Sequence, residues 1–206
     1  KQPVICIKTM KKTIIITFLL TICLAISGQP AKNVLDKVSS TLSNKEGVKA
    51  NFILTNDDFG TSKGNICVKG KMFKATTETV DIWFDGKTQW TYLKHSDEVN
   101  ITNPTEQELH AINPYSFINI YRDGYKYSMK TNGSKYEIHL IAQKKKSIQE
   151  MFITVDKKNY VPTKIRMRQG SKWNTITISE INTGKLSDNI FKFNKKDYPT
   201  AEIIDL

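Results

Sequence analysis

Residues 30–46 place Val34, Leu35, Val38 and Leu42 on one helical stripe, with Pro30 near the start and Gly47 as a stop, so the spacing predicts an amphipathic helix. From Val48 onward the apolar period drops to two. Alternating runs bounded by turn residues predict strands over 48–56, 64–75, 78–84, 88–94 and 97–102, then over 124–131, 135–143, 148–156, 161–169 and 172–182. Asp85-Gly86 and Asn132-Gly133 are the strongest hairpin signals, because a type I′ turn needs positive φ at both central residues; Gly170-Ser171 is a third. Between the halves, residues 104–121 break the alternation: Leu109 and Ile112 fit a short helix, and Pro114 opens another carrying Phe117, Ile118 and Tyr121. An antiparallel sheet of about ten strands twists and curls. The pattern predicts a mainly β fold with a few helices: a strongly curved antiparallel sheet forming a half-open β-barrel, lidded by helices.

Several strands carry large apolar residues on both faces. Ile82 and Phe84 oppose Trp83, Phe52 and Leu54 oppose Ile53, and Trp90 and Tyr92 lie in one line. A sheet with one face in water alternates more cleanly than this. Either helix and loops cover both faces, or the surplus lines an apolar cavity that holds a ligand.

Composition narrows the class. The 206 residues are 39% hydrophobic and 25% charged, which suits a single packed domain and excludes a disordered tail, a collagen-like fibre or a multi-pass membrane protein. Residues 13–26 (TIIITFLLTICLAI) follow Met10-Lys11-Lys12 and precede small residues, and they are too few for a spanning helix. Residues 1–28 therefore read as upstream residues plus a cleaved secretory signal, and residues 29–206 as one exported domain. Cys23 follows Ile22 inside the apolar run rather than a small residue at the cleavage point, so a soluble product with no lipid of its own is expected. Cleavage leaves 27 basic against 20 acidic residues, a net charge of +7, and Cys67 as the sole cysteine, so stability must come from the hydrophobic core without a disulfide.

The usual catalytic and metal-binding patterns are missing. His95, His110 and His139 have no partner at ligand spacing, which gives no metal site. Gly60-Thr61-Ser62-Lys63-Gly64 matches a nucleophile elbow in letters, but a strand follows where that chemistry needs a helix, so it reads as a flexible hairpin loop. Asp57 and Asp58 beside Asn56 are turn-formers, and the sequons at Asn100 and Asn132 read as strand and turn. Lys144-Lys145-Lys146 and Lys157-Lys158 fall at predicted hairpin connections, where lysines solvate turns and protect edges; no nucleic-acid partner is expected, and the net charge favours approach to an anionic membrane surface.

Residues 64–105 follow a glycine-led strand with a basic turn, a Phe-containing strand, a DGK-x-x-W hairpin and an aromatic strand. With FDGKTQWTYL at 84–93 as the tightest match, NPYSFINIY at 113–121 and the closing LSDNIFKFNKKDYPTAEIIDL at 186–206, the chain resembles the periplasmic outer-membrane lipoprotein carriers of the LolA type. The resemblance covers essentially the whole of residues 29–206. It implies a periplasmic, non-enzymatic chaperone with no cofactor. Its apolar interior would take lipoprotein acyl chains from an inner-membrane lipoprotein-releasing transporter and shuttle them to an outer-membrane acceptor. Within such a fold, strand parity about the Asp85-Gly86 turn places Phe73, Ile82, Phe84, Trp90 and Tyr92 along the cavity, with Leu35, Val38, Phe117 and Ile118 as lid contacts. The family's Arg-Pro pair at the basic turn is replaced here by Lys69-Gly70-Lys71, which makes Lys71 the candidate latch, although lysine lacks the planar fork of arginine. A monomer suits a shuttle. The alternatives are a lipid- or lipoprotein-sensing domain of the same fold that regulates a partner, and an esterase acting through Ser62.

Overall fold

The computed structural model describes residues 28–43, 45–58, 60–105 and 119–206. The predicted signal segment, His110, Leu109, Ile112, Pro114 and the lid pair Phe117 and Ile118 lie outside the described residues.

The amphipathic stripe folds as predicted into a helix, α1 (Gly28–Leu42). Ala31, Val34, Leu35, Val38 and Leu42 are buried along one side of it. It ends before the expected Gly47, whose φ of 118° belongs to the turn that leads into the sheet.

Twelve strands then form one sheet: β1 (Val48–Asn56), β2 (Gly60–Lys69), β3 (Met72–Thr77), β4 (Val80–Phe84), β5 (Gln89–Leu93) and β6 (Glu98–Thr102), followed by β7 (Tyr125–Asn132), β8 (Lys135–Ala142), β9 (Glu150–Asp156), β10 (Pro162–Gln169), β11 (Lys172–Thr183) and β12 (Glu202–Asp205). Their spatial order is β12-β6-β5-β4-β3-β2-β1-β11-β10-β9-β8-β7. The edge strands β12 and β7 do not meet, so the curved sheet stays open, as a half-open barrel requires. The pairing of β1 with β11 joins the two meanders, and a register slip between Lys49 and Asn51 bends the sheet at that seam.

Three details depart from the sequence pattern. The run 64–75 is two strands, because Gly70-Lys71 turns the chain between Lys69 and its partner Met72. Residues 60–64 are not a flexible loop: they extend β2 and pair with β1 from Asn56↔Gly60 to Phe52↔Gly64. Gly64 is required there, since a Cβ would stand 2.2 Å from the Thr76 carbonyl oxygen and 2.7 Å from the Phe52 ring. The hairpins form where expected but with other turns. The loops Gly70-Lys71, Gly133-Ser134 and Gly170-Ser171 each have positive φ at glycine alone, the type II′ pattern, and Asp85-Gly86 begins a four-residue loop whose Asp85 carboxylate accepts from the Lys87 and Thr88 N–H groups.

The inner face and part of the outer face of the sheet are covered, in different ways. On the inner face α1 packs with Ile138, Leu140, Met151, Ile153 and Val155 into the main core. On the outer face of β3–β6 the C-terminal segment lays Phe193 and Tyr198 against Trp83, with ring centroids 5.6 Å apart in each pair, and Tyr198 lies 4.6 Å from Tyr92. Lys69 ties this segment down by donating to the Leu186 carbonyl at 2.8 Å and to the Asp188 carboxylate at 2.8 Å.

Candidate functional site

Strand parity decides which residues face inward. In β1 these are Val48, Ala50, Phe52 and Leu54; they meet Val68, Ile66, Gly64 and Ser62 of β2 on one side, and Ile178 and Ile176 of β11 stand beside Phe52 and Leu54 on the other. The row continues through Ala75 and Ile82 into β3 and β4, and through Ile165 and Met167 into β10. Branched aliphatic residues on a concave sheet leave a hollow rather than a filled core. The cavity has a volume of about 360 Å³, within the range of small-molecule sites. Leu42, the last residue of α1, reaches it. Among the described lining residues Ser62, Thr77, Gln169 and Asn174 are polar and none is charged.

Of the residues expected to line the hollow, Ile82 does so. Phe73 and Phe84 share its face but are packed away, 0% and 2% exposed, with their rings 5.5 Å apart in a cross-strand pair. Trp90 and Tyr92 lie on the other face: Trp90 pairs with Trp83, and Tyr92 pairs with Asp81 and donates to Asp97 at 2.9 Å. The two loop ends Phe84 and Gln89 face each other, so the inward row runs through Gln89 and Thr91 and passes between the two aromatics. What pattern reading missed is the aliphatic wall of β1, β2, β10 and β11. Its signal was present in the alternation Phe52, Leu54 and Ile176, Ile178.

The lid residues Leu35 and Val38 are buried on α1, in the core beside the hollow rather than on its wall. Polar ties from several segments hold the helix. Lys37 donates to the Tyr160 hydroxyl at 3.0 Å and sits 4.4 Å from that ring's centroid; Ser39 donates to the Asn119 side chain at 3.0 Å; and the Tyr121 hydroxyl donates to the Asp36 carboxylate. Lys32, 2.6 Å from the other Asp36 oxygen, and then Tyr121 hold the Asp36 carboxyl below its usual range. The candidate latch Lys71 is exposed in its turn with no hydrogen bond or ion pair among the described residues, whereas Lys69 grips the C-terminal segment.

Ser62 faces the cavity from a strand, and among the described residues no histidine or carboxylate is bonded to it, so an esterase geometry is not assembled from them. His139 donates or accepts at 2.8 Å with Glu150 and stacks on Phe152 at 4.2 Å on the outer face, and among the described residues no cluster of three metal-ligating side chains occurs. Burial raises the Cys67 thiol above its usual value and so disfavours the reactive thiolate.

Comparison with known proteins agrees with this geometry. No curated protein matches the chain. Among solved structures, an uncharacterised conserved protein from Thermus thermophilus superposes with a TM-score of 0.60 at 13% identity, over 86% of this chain and 99% of that one. A LolA superfamily protein from Nitrosomonas europaea gives 0.43 at 12% identity over 82% and 99%, and the lipoprotein LppX from Mycobacterium tuberculosis 0.44 at 8% over 76% and 97%. The first likeness shows a shared fold, and the other two scores add nothing to it. Residues 22–171 match the family model described as outer membrane lipoprotein carrier protein LolA. That match stops before β11 and the closing segment at 186–206 but spans the helix and β1–β10, and the chain belongs to the LolA family of outer membrane lipoprotein carrier proteins.

Proposed function

We propose that this chain is a periplasmic carrier that shelters lipoprotein acyl chains in the hollow and moves them from an inner-membrane releasing transporter to an outer-membrane acceptor. The observation that carries the reading is a mostly aliphatic cavity of about 360 Å³, with no charged side chain among its described lining residues, reached by the end of an amphipathic helix.

Size sets the terms of transport. At about 30 Å³ for a water-sized group, which a methylene matches, the cavity holds about a dozen methylenes. Burying them is worth about 10 kcal/mol at about 0.8 kcal/mol each, well under the non-covalent ceiling of about 20 kcal/mol. One chain is thus held firmly enough to travel and loosely enough to be passed on. A triacylated anchor of about 45 methylenes exceeds the hollow, so the remaining chains need α1 to shift outward.

The test is uptake of a fluorescent acyl probe by the purified protein. Ile176→Glu, which puts a charge into the hollow, is expected to lower uptake at least tenfold while the β-sheet circular dichroism persists. Trp90→Glu, on the other face, is expected to leave uptake within about twofold of the parent. Equal uptake by the parent and Ile176→Glu would remove the hollow from the mechanism.

A further inference from the structure

The inward faces of the strands around the hollow change character together. In β1 the series runs Phe52, Leu54, Asn56; in β11, read in the opposite direction, Ile178, Ile176, Asn174; in β10, Ile165, Met167, Gln169; and in β2, Ile66, Gly64, Ser62. Register aligns these series, since Asn56 pairs with Asn174, Leu54 with Ser62, and Asn174 with Met167. One end of the cavity is therefore polar and the rest is aliphatic.

The polar end is ordered. The Asn56 side-chain amide donates to the Asn174 oxygen, and the Asn174 amide donates to the Gln169 oxygen at 3.2 Å. This direction consumes acceptors and leaves donors. Gln169 Nε2 and the Ser62 hydroxyl have no hydrogen-bond partner among the described residues, and both residues line the cavity. No charged side chain lines it among those residues, so a carboxylate or phosphate placed at this half-exposed end would lose water without gaining a counter-charge. A neutral acceptor costs nothing of that kind and satisfies the free donors.

We propose that Ser62, Gln169 and Asn174 bind the carbonyl of the ester or amide that joins an acyl chain to its headgroup, with the chain running along the aliphatic wall toward Leu42. This rests on the acyl-carrier reading and adds direction to it: the cargo enters as an amphiphile of fixed orientation. Ester and amide share the carbonyl acceptor, and the experiment separates them.

The purified full chain is loaded with an environment-sensitive apolar dye, which is then displaced by four compounds of equal chain length: an alkane, a methyl ester, a primary amide and the carboxylate at neutral pH. The ester, the amide or both are expected to displace the dye at about tenfold lower concentration than the alkane, the worth of one or two hydrogen bonds. The carboxylate should displace it less well than either. In Gln169→Leu and Ser62→Ala the ratio of ester or amide to alkane should fall to about twofold, whatever the absolute affinity, and in Trp90→Ala it should keep its parent value. Alkane, ester and amide competing equally in the parent protein, or a ratio unchanged in both variants, overturns the site while leaving the carrier reading intact. A parent protein from which no compound displaces the dye, alkane included, overturns both.

Discussion

Phe73 and Ile82 occupy neighbouring inward rows yet do different work. Phe73 is fully enclosed against Phe84, so Phe73→Ala should lower stability by about 3–5 kcal/mol in a denaturant titration, with acyl-probe uptake per folded molecule retained. Ile82 borders open space, so Ile82→Ala should cost less stability and alter uptake more. At this scale the sequence was half legible. Period-two alternation correctly put Phe73, Ile82 and Phe84 on one face. The interior placement of Trp90 and Tyr92 carried the parity of Ile82 and Phe84 across the Asp85-Gly86 turn, and register overrules it: a four-residue loop sets Phe84 opposite Gln89 and sends both aromatics outward. Tyr198, which packs on Tyr92, is about a hundred residues away, so nothing local announced the cover.

Among the elements, α1 carries an acid-sensitive tie. The Asp36 carboxyl is held below its usual range by Lys32 and Tyr121, so its tie to Tyr121, on the helical turn before β7, is complete above the ordinary carboxylate pKa and is lost as pH falls through the lowered value. Thermal midpoints measured across that acid interval should fall for the parent protein and fall less steeply for Asp36→Asn, which keeps the helix but carries no titrating group. Identical slopes would dismiss Asp36 as a pH-dependent tie. The helix itself and the strands flanking Gly133 and Gly170 were legible, because long periodic runs with glycine turns leave few alternatives. The β2–β3 turn was not, since Lys69-Gly70-Lys71 interrupts a continuous alternation without changing its parity. β12 was also hidden: residues 202–205 gain their strand only by lying parallel to β6.

For the whole molecule, the decisive feature is that the β12 and β7 edges stay apart, which lets one sheet curve around a hollow without filling it. Openness was foreseeable from strand number and turn spacing. The hollow stood as one of two readings of the surplus apolar residues, because the same aliphatic residues would have closed a smaller barrel. Cargo size follows from the volume. A single-chain lipid should bind with little movement of α1, whereas a triacyl lipid should increase hydrogen exchange along Gly28–Leu42, measured by mass spectrometry. The most direct check on the whole account is native mass spectrometry of the protein purified from cells, alongside Ile176→Glu. Acyl lipid bound to the parent and absent from the variant is the result expected here; a parent that carries none and takes up none when offered it would contradict the claim that the hollow exists to hold acyl chains.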